Sequence, residues 1–130
     1  QQRCPSAEID LAGFCFGGHA ALLAATLPQI HHSFDFYGAG VSRMRPGGGA
    51  PTLELLPQVS GQLTCVCGSA DPLIPEEDRS TIRSALASAD PSGKRLSYLE
   101  IDGVDHGFMC EARGSFNTKA SALGWQLMLA

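Results

Sequence analysis

At 130 residues the chain has room for one compact domain. Its 44% apolar and 17% charged residues exclude a wholly disordered chain, and a net charge of −4 with no Lys/Arg run gives no ground for a nucleic-acid partner. The longest apolar stretch, around Ala20–Leu27, is too short to cross a bilayer, so no membrane partner is expected.

The chain opens on Gln1-Gln2-Arg3-Cys4-Pro5, with neither a methionine nor an apolar signal segment. It reads as a fragment or processed product with a cytoplasmic location. Glu8–Phe14 is a short strand that runs into Cys15-Phe16-Gly17-Gly18, and a helix follows from about Gly18 to Leu27, stopped before Pro28. His32–Tyr37 is a second strand, closed by Gly38-Ala39-Gly40. Residues 43–57 read as loop, least ordered at Pro46-Gly47-Gly48-Gly49.

Gln62–Gly68 is a third strand, leading into Ser69-Ala70-Asp71-Pro72. Pro75-Glu76-Glu77-Asp78 opens a helix, with proline in the first turn and acids at the positive end of the dipole. Ile82, Ala85, Leu86 and Ala89 recur at helical spacing until Asp90–Lys94 breaks the pattern. Leu96–Ile101 is the fourth strand and Asp102–Glu111 a loop. A last helix spans about Phe116–Leu129, with Ala120, Leu123, Gly124, Leu127 and Met128 on one apolar face. Strands alternating with helices predict an α/β fold, a parallel sheet covered on both faces within a single domain over 1–130. Four strands are few for this architecture, so the missing strands are expected to be N-terminal.

Five cysteines (Cys4, Cys15, Cys65, Cys67, Cys110) are an odd set for a disulfide framework and lack zinc-site spacing. Reduced, mostly buried thiols are expected, with no metal site. Cys65 and Cys67, two apart on a strand, share one face.

Gly13-Phe14-Cys15-Phe16-Gly17-Gly18 carries the chemistry. A strand that turns sharply into a helix presents its central residue in a strained conformation, and glycines on either side let the backbones pass closely. Cysteine there lies at a helix N-terminus, which favours the thiolate. The Phe16 N–H points at the same spot as half of an oxyanion hole. Asp71 follows the third strand and His106 the fourth. Nucleophile, acid and histidine in that order, each after a strand, all emerge at the carboxyl edge of a parallel sheet. The competing readings are a buried structural cysteine, a turn aspartate in Ala70-Asp71-Pro72, and a solvated loop histidine. Asp105 is a weaker partner for His106 because adjacent side chains diverge. His19 lies too near the elbow to serve as base, and His31 and His32 open a strand at its far end.

The hexapeptide, together with Asp71-Pro72-Leu73-Ile74-Pro75 and His106-Gly107-Phe108, resembles the dienelactone hydrolase (carboxymethylenebutenolidase) family of the α/β-hydrolase superfamily. The resemblance runs nearly the whole chain and extends through the tail to Ala122 and Trp125. It implies a three-layer α/β-hydrolase fold with N-terminal strands missing. Cys15 would be nucleophile, Asp71 acid and His106 base, cleaving a small-molecule ester or lactone through a thioester without metal or cofactor.

Two departures from the family bear on that expectation. The family's N-terminal half supplies the second oxyanion donor, and with it an acid and an arginine near the thiol, so this piece alone is expected to be weak or inactive. Dienelactone-specific members also keep an arginine shortly after the histidine. Cys110 stands there in this chain, and Arg113 comes a turn later. Arg113 and Tyr37 are candidate substrate contacts, with packing of the loop against the last helix the preferred role for Arg113.

Other classes fit less well. Glutamine amidotransferases place a glutamate two residues after the histidine, where this chain has Phe108. A cysteine acyltransferase and a non-enzymatic binding module of the same fold remain as alternatives.

Overall fold

The computed structural model describes residues 8–130; Cys4 and its expected free thiol lie outside them. Four strands, β1 (Ile9–Phe14), β2 (Ile30–Phe36), β3 (Gln62–Gly68) and β4 (Leu96–Ile101), form one parallel sheet in the order β1-β2-β3-β4. Their register aligns Phe14, Phe36, Val66 and Leu99 in one row, so all four strands end at the same edge. The connecting helices are α1 (Phe16–Ala24), α2 (Glu76–Ala89) and α3 (Thr118–Leu129).

Burial follows position in the sheet. Every residue of β3 after Gln62 is buried, as expected of a parallel strand covered on both faces, whereas β1 lies at an edge and is only partly covered. Ser33 and Asp35 face α1: the Ser33 hydroxyl donates to the Ala21 carbonyl at 2.6 Å, and Asp35 abuts Gly18. On the opposite face Phe14, Phe34 and Phe36 stack in a row, and Gly124 of α3 comes down onto Phe36 and Met109. The molecule is therefore a three-layer α/β sandwich. Leu22, Phe36, Leu63, Val66, Leu86 and Phe108 are fully buried in its core.

Four segments differ from what the sequence predicts. Residues 43–57 are not all loop: a 3-10 helix covers Thr52–Gln58, with Thr52, Leu53 and Leu56 buried. The glycine run and Pro57 mask its short apolar pattern. The first helix begins at Phe16, directly after Cys15. The second strand begins at Ile30 and ends at Phe36, because Tyr37 turns into the left-handed region with φ 43°. The last helix begins at Thr118, where Asn117 Oδ1 accepts from the Ala120 N–H at 2.9 Å. Of its expected apolar face, Ala120 and Gly124 are buried, while Leu123, Leu127 and Met128 are only partly covered.

No helix among the described residues is long and apolar enough to cross a membrane. The thiols of Cys65 and Cys67 are buried on one face of β3, and Cys15, Cys65, Cys67 and Cys110 are all unbridged.

Candidate active site

Cys15 stands between β1 and α1 with φ 57° and ψ −125°, a conformation that is a genuine outlier for a side chain of this kind. The surrounding backbone holds it there. The Cys15 N–H donates to the Phe36 carbonyl at 3.1 Å, and the Cys15 carbonyl accepts from the N–H groups of Gly18 and His19. A Cβ on Gly13 would run into the Gly17 carbonyl, and one on Gly18 would come within 2.5 Å of the Phe36 carbonyl and the Asp35 carboxylate. A Cβ on Gly17 would meet nothing. The close approach expected on both sides of the elbow thus falls on Gly13 and Gly18. The Phe16 N–H, in the first turn of α1, has no intrahelical acceptor.

Asp71 lies in the loop after β3 and is buried, its side chain fully covered. Its Oδ1 accepts from the Leu73 N–H at 2.8 Å, and its Oδ2 accepts from His106 Nδ1–H at 2.7 Å. That bond selects the tautomer that leaves the His106 Nε2 lone pair free. The loop after β4 fixes the rest of His106: its N–H donates to Asp105 Oδ1 and its carbonyl accepts from the Ser115 hydroxyl at 2.6 Å. Asp105 therefore holds the backbone of His106, and Asp71 its ring.

The Tyr37 ring packs edge-on against His106 at 5.1 Å between centroids, and against Phe108 at 5.0 Å. Burial pushes its phenol up to about 12, with the charge of Cys15 adding to the rise and that of Arg113 opposing it. No hydrogen bond joins Cys15 and His106 among the described residues. Such bonds commonly tighten only when a substrate is bound. With 1% of its surface exposed, Tyr37 is buried behind His106. Arg113 is exposed, and its side chain lies over Gly107 beside His106.

The remaining histidines are occupied elsewhere. Buried His19 donates from Nδ1 to the Ala39 carbonyl at 2.9 Å and meets the Thr52 hydroxyl at 2.6 Å through Nε2; desolvation lowers its pKa. It ties α1 to the 3-10 helix. His31 pairs with Asp10, and His32 with Thr64, at the opposite end of the sheet. Burial raises the thiols of Cys65 and Cys67 far above their ordinary value, which makes them inert.

Two residues near the site were not singled out from the sequence. Ser115 bonds a backbone carbonyl and left no sequence signal. Asp35, an acid between two phenylalanines in a strand, did carry one.

Across residues 1–130 the chain matches the dienelactone hydrolase family. It is 38% identical over 119 residues to a Synechocystis sp. protein named after carboxymethylenebutenolidase, covering 92% of this chain and 47% of that protein. An Escherichia coli protein of the same name is 27% identical over 94% of this chain and 44% of its own length. A crystal structure from Klebsiella pneumoniae, named after dienelactone hydrolase, superposes with a TM-score of 0.78 at 25% identity. That match covers 92% of this chain and 49% of the other. The chain spans about half the length of the curated relatives it matches.

Proposed function

The chain belongs to the dienelactone hydrolase family, and on that premise we propose that it carries the thiol machinery of an ester or lactone hydrolase. Cys15 is the nucleophile, His106 the base and Asp71 the group that orients His106. One observation carries the reading. A fully covered carboxylate at the end of β3 bonds the imidazole at the end of β4 at 2.7 Å. That pair shares the sheet edge at which Cys15 is held at φ 57°.

In this reading His106 Nε2 takes the proton from Cys15 Sγ, and the N-terminus of α1 favours the thiolate. The thiolate attacks the acyl carbon, and the Phe16 N–H donates to the developing oxyanion. His106 then returns its proton to the leaving oxygen and a thioester remains. Water, deprotonated by His106, cleaves the thioester and regenerates the thiol. Asp71 stabilises the imidazolium in both halves. Arg113 offers a cation beside His106 to a substrate that bears a carboxylate. The machinery needs neither metal nor cofactor, its partner is a small-molecule ester or lactone, and the proposed compartment is the cytoplasm.

A second reading is the same site in a catalytically incomplete unit. It is favoured by the place of β1 at the sheet edge in a chain of about half its relatives' length. A missing oxyanion donor lowers the rate by about a hundredfold or more.

Iodoacetamide labelling separates the readings. Cys15 is expected to alkylate faster than exposed Cys110 below neutral pH, and to lose that advantage in His106→Ala. Equal rates for the two thiols, unchanged in the variant, would refute the assignment. Fast labelling without hydrolysis of p-nitrophenyl acetate would identify the incomplete unit.

A further inference from the structure

Asp35 is a carboxyl buried on the α1 face of β2, 3% exposed, with no cationic partner among the described residues. Its Oδ1 accepts from the Gly38 N–H at 2.9 Å, and its Oδ2 faces the Cys65 thiol at 3.8 Å. The same Oδ1 lies against Gly18, the third residue of α1. One carboxyl thus sits where two strand exits meet, the one that carries Cys15 and the one that carries Tyr37.

The bond to Gly38 closes the turn over Tyr37. Tyr37 holds φ 43°, which is strained for a bulky residue and persists only where its surroundings enforce it. Two things enforce it here: the Tyr37 N–H donates to the Val66 carbonyl at 2.8 Å, and Asp35 captures the N–H of the following residue, Gly38. The outcome of the strain is the placement of the Tyr37 ring against His106 at 5.1 Å. A buried carboxyl and a left-handed tyrosine are each unfavourable alone, and here one turn joins them, with the Tyr37 ring on the imidazole.

We infer that Asp35 is a positioning residue of the thiol site: by holding the turn at Gly38 it keeps the Tyr37 ring against His106. The inference rests on the reading of Cys15 and His106 as the reacting pair only for its effect on reactivity. An apolar side chain in place of Asp35 cannot accept from the Gly38 N–H, whereas the amide oxygen of an asparagine can.

The test uses the 130-residue chain with Asp35→Ala, Asp35→Asn, Tyr37→Gly, and Asp35→Ala combined with Tyr37→Gly. The readouts are the NMR shifts of the His106 ring protons, which report the ring current of Tyr37, and the rate of Cys15 alkylation. Asp35→Ala is expected to move the His106 resonances and slow alkylation by about tenfold. Asp35→Asn is expected to match the parent in both, and Asp35→Ala is expected to add nothing in the Tyr37→Gly background.

The inference is overturned if Asp35→Ala matches the parent, if Asp35→Asn falls with it, or if the double variant is additive. Should Asp35→Ala fail to fold alone but fold with Tyr37→Gly, the turn is its task; failure in both backgrounds means a general core role and overturns the claim. Alkylation that is indifferent to His106→Ala would remove the proposed chemistry, while the His106 resonances would still decide the positioning.

Discussion

Both carboxylate oxygens of Asp71 are engaged, one in shaping its own loop at Leu73 and one on His106. An asparagine there keeps the loop bond but presents an amide to an imidazole that needs an acceptor. Asp71→Asn is therefore expected to fold like the parent and to lower Cys15-dependent turnover by about a hundredfold or more, chiefly in kcat. Steady-state ester hydrolysis checks this, and an unchanged kcat would remove Asp71 from the reaction. Asp35 makes a different prediction. Burial lifts its carboxyl from 3.8 to about 8, so between those values the folded chain holds a proton that the unfolded chain has released. Stability then falls as pH rises from about 4 to about 8. Asp35→Asn should be the more stable protein at neutral pH and lose that advantage below about pH 4. Urea midpoints across that range test it; a constant difference would show that Asp35 is ionised throughout.

Cys15 is presented by an element whose two ends are unequal. Gly13 has the Gly17 carbonyl where a side chain would begin, whereas Gly17 itself faces open space. Gly13→Ala is expected to destabilise the fold by about 3 kcal/mol or more, because two backbones must separate. Gly17→Ala should stay within about 1 kcal/mol of the parent, since alanine suits a helix better than glycine. Thermal denaturation of the pair tests this, and equal losses would mean that the elbow is tight throughout. The glycine spacing around Cys15 was legible in the sequence as an elbow, because a strand-to-helix turn needs small residues at those offsets. That Gly18 also bears a contact was not, since that depends on how Phe36 and Asp35 of the next strand approach α1. The 3-10 helix at Thr52–Gln58 was hidden for a related reason: its apolar residues make no periodic stripe and are ordered by His19 and the core.

At the scale of the whole molecule, stability is graded across the sheet. β3 is paired on both sides and buried on both faces, while β1 is paired with β2 alone. Amides of β3 should exchange with deuterium only on global unfolding, and those of β1 sooner. Protection of β1 equal to that of β3 would mean that its free edge is covered in solution, a known route to self-association.

Element order, the parallel sheet and the sheet edge at which Cys15, Asp71 and His106 emerge were determined by the sequence itself. Local periodicity and turn residues specify the elements, and alternating strands and helices call for a parallel sheet covered on both faces. The sequence favours Asp71 over Asp105 as partner of the His106 ring; the tertiary structure alone decided that Asp105 holds the His106 backbone instead. It also decided that Tyr37 is a buried support for His106 and that Asp35 lies at the join of two strand exits. The acid between two phenylalanines marks Asp35 in the sequence but not what it meets, because Gly18 and Cys65 lie on other elements.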